Sequence, residues 1–181
     1  MKKQAPTLIA GLMIGALLAG GTAIAVTSTS FTYASVKTGY LAVSPMDFAP
    51  DHLLGATSDY LNTWDGAVLT NQDGNRCFNA GVNLPNGARI KSVRFFYTSD
   101  ASSDFYGTLM RVNPLTGATG RIAEVIPADD TNTRTSASDS IAATKQTVSN
   151  KVWQYSMGAC PFSGTAFHGA RITYTYKTAG D

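Results

Sequence analysis

Charge is scarce in this chain. Of its 181 residues only 14% are charged, about half the roughly 25% usual in globular domains. So little charge excludes a solvated disordered tail, which needs charge to stay expanded. The formal balance of +2 argues against a nucleic-acid partner, because phosphate binding needs an excess of Lys and Arg. Glutamate occurs once, at Glu124, against 22 Thr and 15 Ser. A chain so poor in strong helix formers and so rich in β-branched and turn residues reads as all-β.

Catalytic groups are equally thin. The two histidines are His52 and His168, and no Gly-x-Ser-x-Gly elbow occurs, so a serine hydrolase lacks its nucleophile–base arrangement. Two isolated imidazoles make no ordinary zinc site without both cysteines. A glycosidase needs two carboxyls about 5–10 Å apart in a cleft. The eleven Asp fall mostly in turn-like stretches, where their side chains bond the local backbone. Glu124, between Ala123 and Val125, reads as a solvent-face strand residue before it reads as a buried acid. The expectation is a protein that is not an enzyme.

What the chain does have begins at its N-terminus. Lys2 and Lys3 precede an apolar stretch from Leu8 to Val26, interrupted by four glycines and closing in Ala23-Ile24-Ala25. That layout predicts a secretory signal peptide over residues 1–25, leaving one domain over 26–181. An uncleaved anchor is the second reading, since 19 residues just suffice to cross a bilayer. Cleavage removes Lys2 and Lys3, so 14 basic and 12 acidic residues become 12 and 12. The expected product is secreted and formally neutral, with no membrane partner once cleaved. Cys77 and Cys160 are the only cysteines. An even count in an oxidising compartment predicts one disulfide between them.

Beyond Phe31 the sequence alternates in short runs set apart by turn residues. Ile90 to Tyr97 places Val93, Phe95 and Tyr97 on one face, with Arg94 and Phe96 on the other. Phe105 to Val112 places Tyr106, Thr108, Met110 and Val112 together. Val152 to Met157 groups Trp153, Tyr155 and Met157. Ala170 to Tyr176 sets Ile172, Tyr174 and Tyr176 against Arg171, Thr173 and Thr175. Pro127 to Ser140 reads as a long polar loop, and Ile141 to Val148 as a strand or one helical turn. Eight or nine strands and no long helical period predict a single antiparallel two-sheet sandwich, jelly-roll-like rather than immunoglobulin-like.

The block Phe78-Asn-Ala-Gly-Val-Asn-Leu-Pro-Asn-Gly-Ala-Arg-Ile-Lys-Ser-Val-Arg-Phe-Phe-Tyr97 resembles a loose group of secreted, mostly uncharacterised bacterial β-sandwich domains. They share a Leu-Pro-x-Gly-Ala turn, an aromatic strand, an Asp/Ser loop (here Asp100 to Asp104) and a strand ending in Arg-Val (here Leu109 to Val112). The closing Gly169-Ala-Arg-Ile-Thr-Tyr174 is also similar. The resemblance spans roughly residues 77–176. It implies a jelly-roll-like sandwich and transfers no catalytic residue.

Two kinds of site remain open. Asn71, Asp73 and Asn75 form an alternating oxygen series like part of an EF-hand loop, which makes calcium the candidate ion and otherwise no cofactor. The series lacks the closing glutamate, and Asp100 with Asp104 or Asp129 with Asp130 offer similar oxygen pairs that also read as turns. Trp64, Tyr60, Trp153 and Tyr106 offer aromatic faces on which sugar rings stack. Trp64 with Asp65 and Tyr60 is the favoured ligand patch, and Trp153 reads first as core. The expected function is a secreted, non-catalytic sandwich acting by interaction, a structural or surface-associated protein that either self-associates through its sheet edges or decorates the cell surface. The alternative is a carbohydrate-binding module, calcium-stabilised, with a glycan as partner.

Overall fold

Thr, Val, Ile and aromatic residues alternating with polar ones dictate the strands, and among the described residues the computed structural model places eleven of them in two sheets. It describes residues 31–50, 60–62, 69–71, 77–99, 105–126, 135–138, 141–162 and 165–179. The strands are β1 (Phe31–Val43), β2 (Ala49–Pro50), β3 (Tyr60–Asn62), β4 (Leu69–Asn71), β5 (Phe78–Val82), β6 (Arg89–Ser99), β7 (Phe105–Val112), β8 (Thr119–Val125), β9 (Thr135–Ser138), β10 (Gln154–Pro161) and β11 (Thr165–Ala179). The signal-peptide expectation falls outside the described residues. Among those described, no helix is long and apolar enough to cross a membrane.

One sheet runs β3-β4-β11-β6-β9, with β1 also paired to β11; the other runs β2-β5-β10-β7-β8. Apart from β1 on β11, each ladder in one sheet has a counterpart in the other. β11 pairs β4 and β6, while β10, the strand before it, pairs β5 and β7. Likewise β6 pairs β9 where β7 pairs β8. Consecutive strands thus travel in opposite sheets beside partners that are themselves consecutive, which is the rolled-hairpin path of a jelly roll. The expected all-β, two-sheet sandwich is the fold found.

One detail differs from expectation, and one open alternative is decided. The polar stretch Pro127 to Ser140 contains β9, which the β6 edge recruits by backbone pairing although its Thr-Ser-Ala-Ser sequence alternates no hydrophobicity. Ile141 to Val148 takes the helical-turn alternative: a single 3-10 turn over Ala143–Lys145 leads to an isolated bridge between Thr147 and Arg89.

The core lies between the sheets. β5 alternates buried and exposed, turning Phe78, Ala80 and Val82 inward. Val93, Phe95 and Tyr97 of β6 meet Phe105 and Leu109 of β7, all essentially inaccessible to solvent. Tyr97 stacks on Phe105 with centroids 4.6 Å apart, and Phe105 on Phe167 at 5.7 Å. Burial of each such ring contributes about 1.5–3 kcal/mol. Geometrically specific aromatic pairs add about 0.5–1.5 kcal/mol.

Turn chemistry follows the sequence where a positive φ is required. In Leu84-Pro85-Asn86-Gly87-Ala88, the Ala88 amide donates to the Pro85 carbonyl, and Gly87 takes φ 76°. A positive φ at the third turn position is what glycine supplies. Cys77 and Cys160 form the expected disulfide. The register pairing Phe78 with Ala159 places them directly opposite each other at the ends of β5 and β10.

Candidate functional site

The second sheet turns one face to solvent, and register defines what stands there. Gly81 of β5 pairs Ser156 of β10, and Ser156 pairs Met110 of β7. One step along, Gln154 pairs Val112, with Asn83 just past the end of β5. Gly81 leaves bare space: a β-carbon there would meet nothing within 4 Å. A depression of about 500 Å³ occupies this corner, bounded by Gly81, Asn83, Asn150, Trp153 and Gln154, with Val82 and Tyr155 behind.

Trp153 is the large surface of this corner. It is half-buried and packs against the core cluster, yet it also lines the depression. The Arg111 guanidinium lies 4.3 Å from the indole centroid. Cation–π attraction of this kind contributes about 0.5–2 kcal/mol and holds the ring in one plane. The turn carrying the indole is itself tied down. The Asn150 side-chain amide donates to the Leu84 carbonyl at 2.8 Å, and the Asn150 backbone amide donates to Asn86 Oδ1 at 3.0 Å. The Trp153 amide donates to the Ser149 carbonyl, whose own residue's amide donates to the Tyr155 hydroxyl. The result is a fixed indole, with Arg111 over one face, that shares the lining of the depression with the exposed primary amides of Asn83 and Gln154. Aromatic face plus amide donors and acceptors suits a ligand with apolar C–H faces and many hydroxyls.

Further along the same sheet, Tyr106, Arg121 and Glu124 form a surface network. The Tyr106 hydroxyl donates to Glu124 Oε1 at 2.8 Å, and Arg121 Nη1 donates to both partners. The hydrogen bond with Tyr106, and then the charge of Glu124, raise the Arg121 pKa above its ordinary value. Glu124 is ion-paired and partly exposed, which is the solvent-face role its strand position predicts. The carboxylate of Asp47 accepts from the Ser44 amide in a capping box. His168 lies exposed in β11, its Nε2 2.6 Å from Thr98 Oγ1.

The sequence-predicted sites fall largely elsewhere. Trp64, Asp65, Asp73 and Asn75 lie outside the described residues. Tyr60 opens β3 and Asn71 closes β4, and the register pairs these two directly. Of the favoured ligand patch and the oxygen series, only these two residues are among those described. Among the described residues, no group of three or more His, Cys, Asp or Glu gathers as a metal would require. Asn83, Asn150, Gln154 and Arg111 are additions that sequence reasoning missed. The only local signal was Asn150 in the polar turn before Trp153.

No protein-family model and no curated protein matches the chain. Among solved structures it is similar to the C-terminal CBM6 of LamC, a marine laminarinase from Zobellia galactanivorans. That likeness is 15% identity over 75% of this chain and 99% of that one, with a TM-score of 0.45. It is similar also to a xylan-binding module CBM15, at 13% identity over 76% and 97% of the chains, TM-score 0.45. A third is TmCBM27, a mannan-recognising carbohydrate-binding module, at 9% identity over 77% and 98%, TM-score 0.39. The fold assignment rests on the strand pairings themselves.

Proposed function

We propose that the protein is an exported, non-catalytic carbohydrate-binding domain that holds a neutral glycan against Trp153. One observation carries this reading: an indole fixed by Arg111, bordered by amide side chains, beside a bare glycine in an open depression. Sugar rings offer C–H faces to the indole and hydroxyls to Asn83 and Gln154. The disulfide supports export, because such bonds persist in oxidising compartments. Of the two functions expected from the sequence, glycan binding has a built site, so it is preferred to self-association through sheet edges.

The test is affinity electrophoresis of the full chain against soluble β-glucan, xylan and mannan. At least one should retard the protein, and Trp153→Ala should weaken that binding about tenfold or more, as loss of a central aromatic anchor does. Gln154→Ala and Asn83→Ala, both at exposed positions, provide a second measure should Trp153→Ala fold poorly. Retardation unaffected by all three substitutions would sink the assignment. An oligomer that forms without ligand, with no glycan retarding it, would restore the self-association reading.

A further inference from the structure

The outer face of the six-stranded sheet carries two arginines side by side. Arg171 of β11 stands opposite Arg94 of β6 in the register. On their far sides stand Ala42 of β1 and Ala137 of β9. The row across four strands therefore reads Ala42, Arg171, Arg94, Ala137. Like charges directly opposed on antiparallel strands, with β-carbons about 4.5–5.5 Å apart, are destabilising. Among the described residues neither arginine has a carboxylate partner. The ion pair there belongs to Arg121 and Glu124, and the Asp47 carboxylate accepts from the Ser44 amide.

Arg171 is also held in place. Its guanidinium lies 5.5 Å from the Tyr40 ring centroid and 5.6 Å from that of Phe96. Its Nε is buried without a hydrogen-bond partner. Stacking fixes the guanidinium plane. Beside it opens a depression of about 570 Å³ bounded by Ser44, Asp47, Phe96, His168 and Gly169. Gly169 brings β1 close here: it takes φ 119°, and a β-carbon would stand 2.8 Å from the Val43 carbonyl oxygen.

We propose that Arg94 and Arg171 together bind one oxyanion, a carboxylate or sulfate ester carried by an acidic glycan. Two adjacent forks accept such a group through charge-assisted hydrogen bonds, and the bound anion removes the repulsion between them. Asp47 repels the anion from its own side and so directs it toward Arg94. The anion follows from this face alone; its being carried on a sugar rests on the glycan reading above.

The experiment uses the full chain in native gels containing polygalacturonate, its methyl-esterified form, dextran sulfate or neutral β-glucan. Polygalacturonate or dextran sulfate should retard the protein, and the esterified polymer should not. Arg94→Ser, at an exposed position, and Arg171→Gln should each weaken that binding about tenfold, the scale of one charged hydrogen-bond pair. Lys151→Gln, a cation elsewhere on the surface, should leave it unchanged. A response to polygalacturonate alone identifies a uronic acid, and one to dextran sulfate alone a sulfated sugar. Equal retardation by free and esterified polymer, or full binding by Arg94→Ser, overturns the proposal. Tighter binding to single-stranded DNA of equal charge overturns it too. Neutral-glucan retardation in the same gels tests the Trp153 site separately, so the two readings fail independently.

Discussion

Phe95 lies against Gly107 across the two sheets so closely that a β-carbon at position 107 would stand 2.7 Å from its Cε2. Gly107 is buried in β7, and Phe95 is fully buried in β6. Glycine in a strand interior ordinarily costs about 0.5–1 kcal/mol relative to alanine. Here the missing side chain is what admits the ring. Gly107→Ala should therefore destabilise, by about 1–3 kcal/mol, the usual cost of overpacking. Urea unfolding should show a lower midpoint with an unchanged slope. A stabilised Gly107→Ala would mean that the sheets sit farther apart here.

The bond between Cys77 and Cys160 spans 83 positions of sequence. Closing so long a loop restricts the unfolded chain, by up to about 4.5 kcal/mol on the chain-entropy account. Mass analysis without reductant should give a value two hydrogens below that of the reduced protein. The double substitution Cys77→Ser, Cys160→Ser should lower thermal stability while leaving the far-ultraviolet spectrum of a β protein. Two thiols that alkylate freely in the folded, oxidised protein would contradict the bond.

Tyr176 should titrate late. Desolvation by its surroundings raises its pKa above the ordinary 10.0, and the neighbouring Tyr33 and Tyr174 raise it further. The three rings are in contact, Tyr33 meeting Tyr176 edge-on at 5.6 Å and Tyr174 tilted at 5.8 Å. The folded state thus holds this proton more tightly than the unfolded chain does. Its contribution to stability is complete below pH 10 and is lost as pH rises through the higher folded-state value. Alkaline titration at 295 nm should show a late phenol that Tyr176→Phe removes. A uniform titration of all tyrosines near pH 10 would refute the shift.

Faces were legible in the sequence; neighbours were not. Alternation puts Val93, Phe95 and Tyr97 on one side of a strand, and all three are buried. Arg94 and Phe96 were assigned to the other, where Arg94 is exposed and Phe96 half-buried. Alternation groups Trp153 with Tyr155 and Met157 as core, and it does pack on the core cluster while also lining the depression. Asn83 and Gln154 carried no signal, because single amides at strand ends look like any solvated position. The β9 strand was missed for a related reason: its pairing with β6 comes from backbone hydrogen bonds, to which side-chain alternation is blind.

By itself the sequence determined the all-β class, the two-sheet sandwich, the inward faces and the Gly87 turn. These follow from local chemistry: β-branched and aromatic alternation with period two, and glycine where φ must be positive. Only the tertiary structure decided that Arg94 stands beside Arg171, that Arg111 lies over Trp153, and that Tyr60 opposes Asn71. Each of these depends on register between strands distant in sequence. A shift of one residue exchanges the two faces of a strand, so juxtaposition across strands is decided by which pairing buries the core, not by any local pattern.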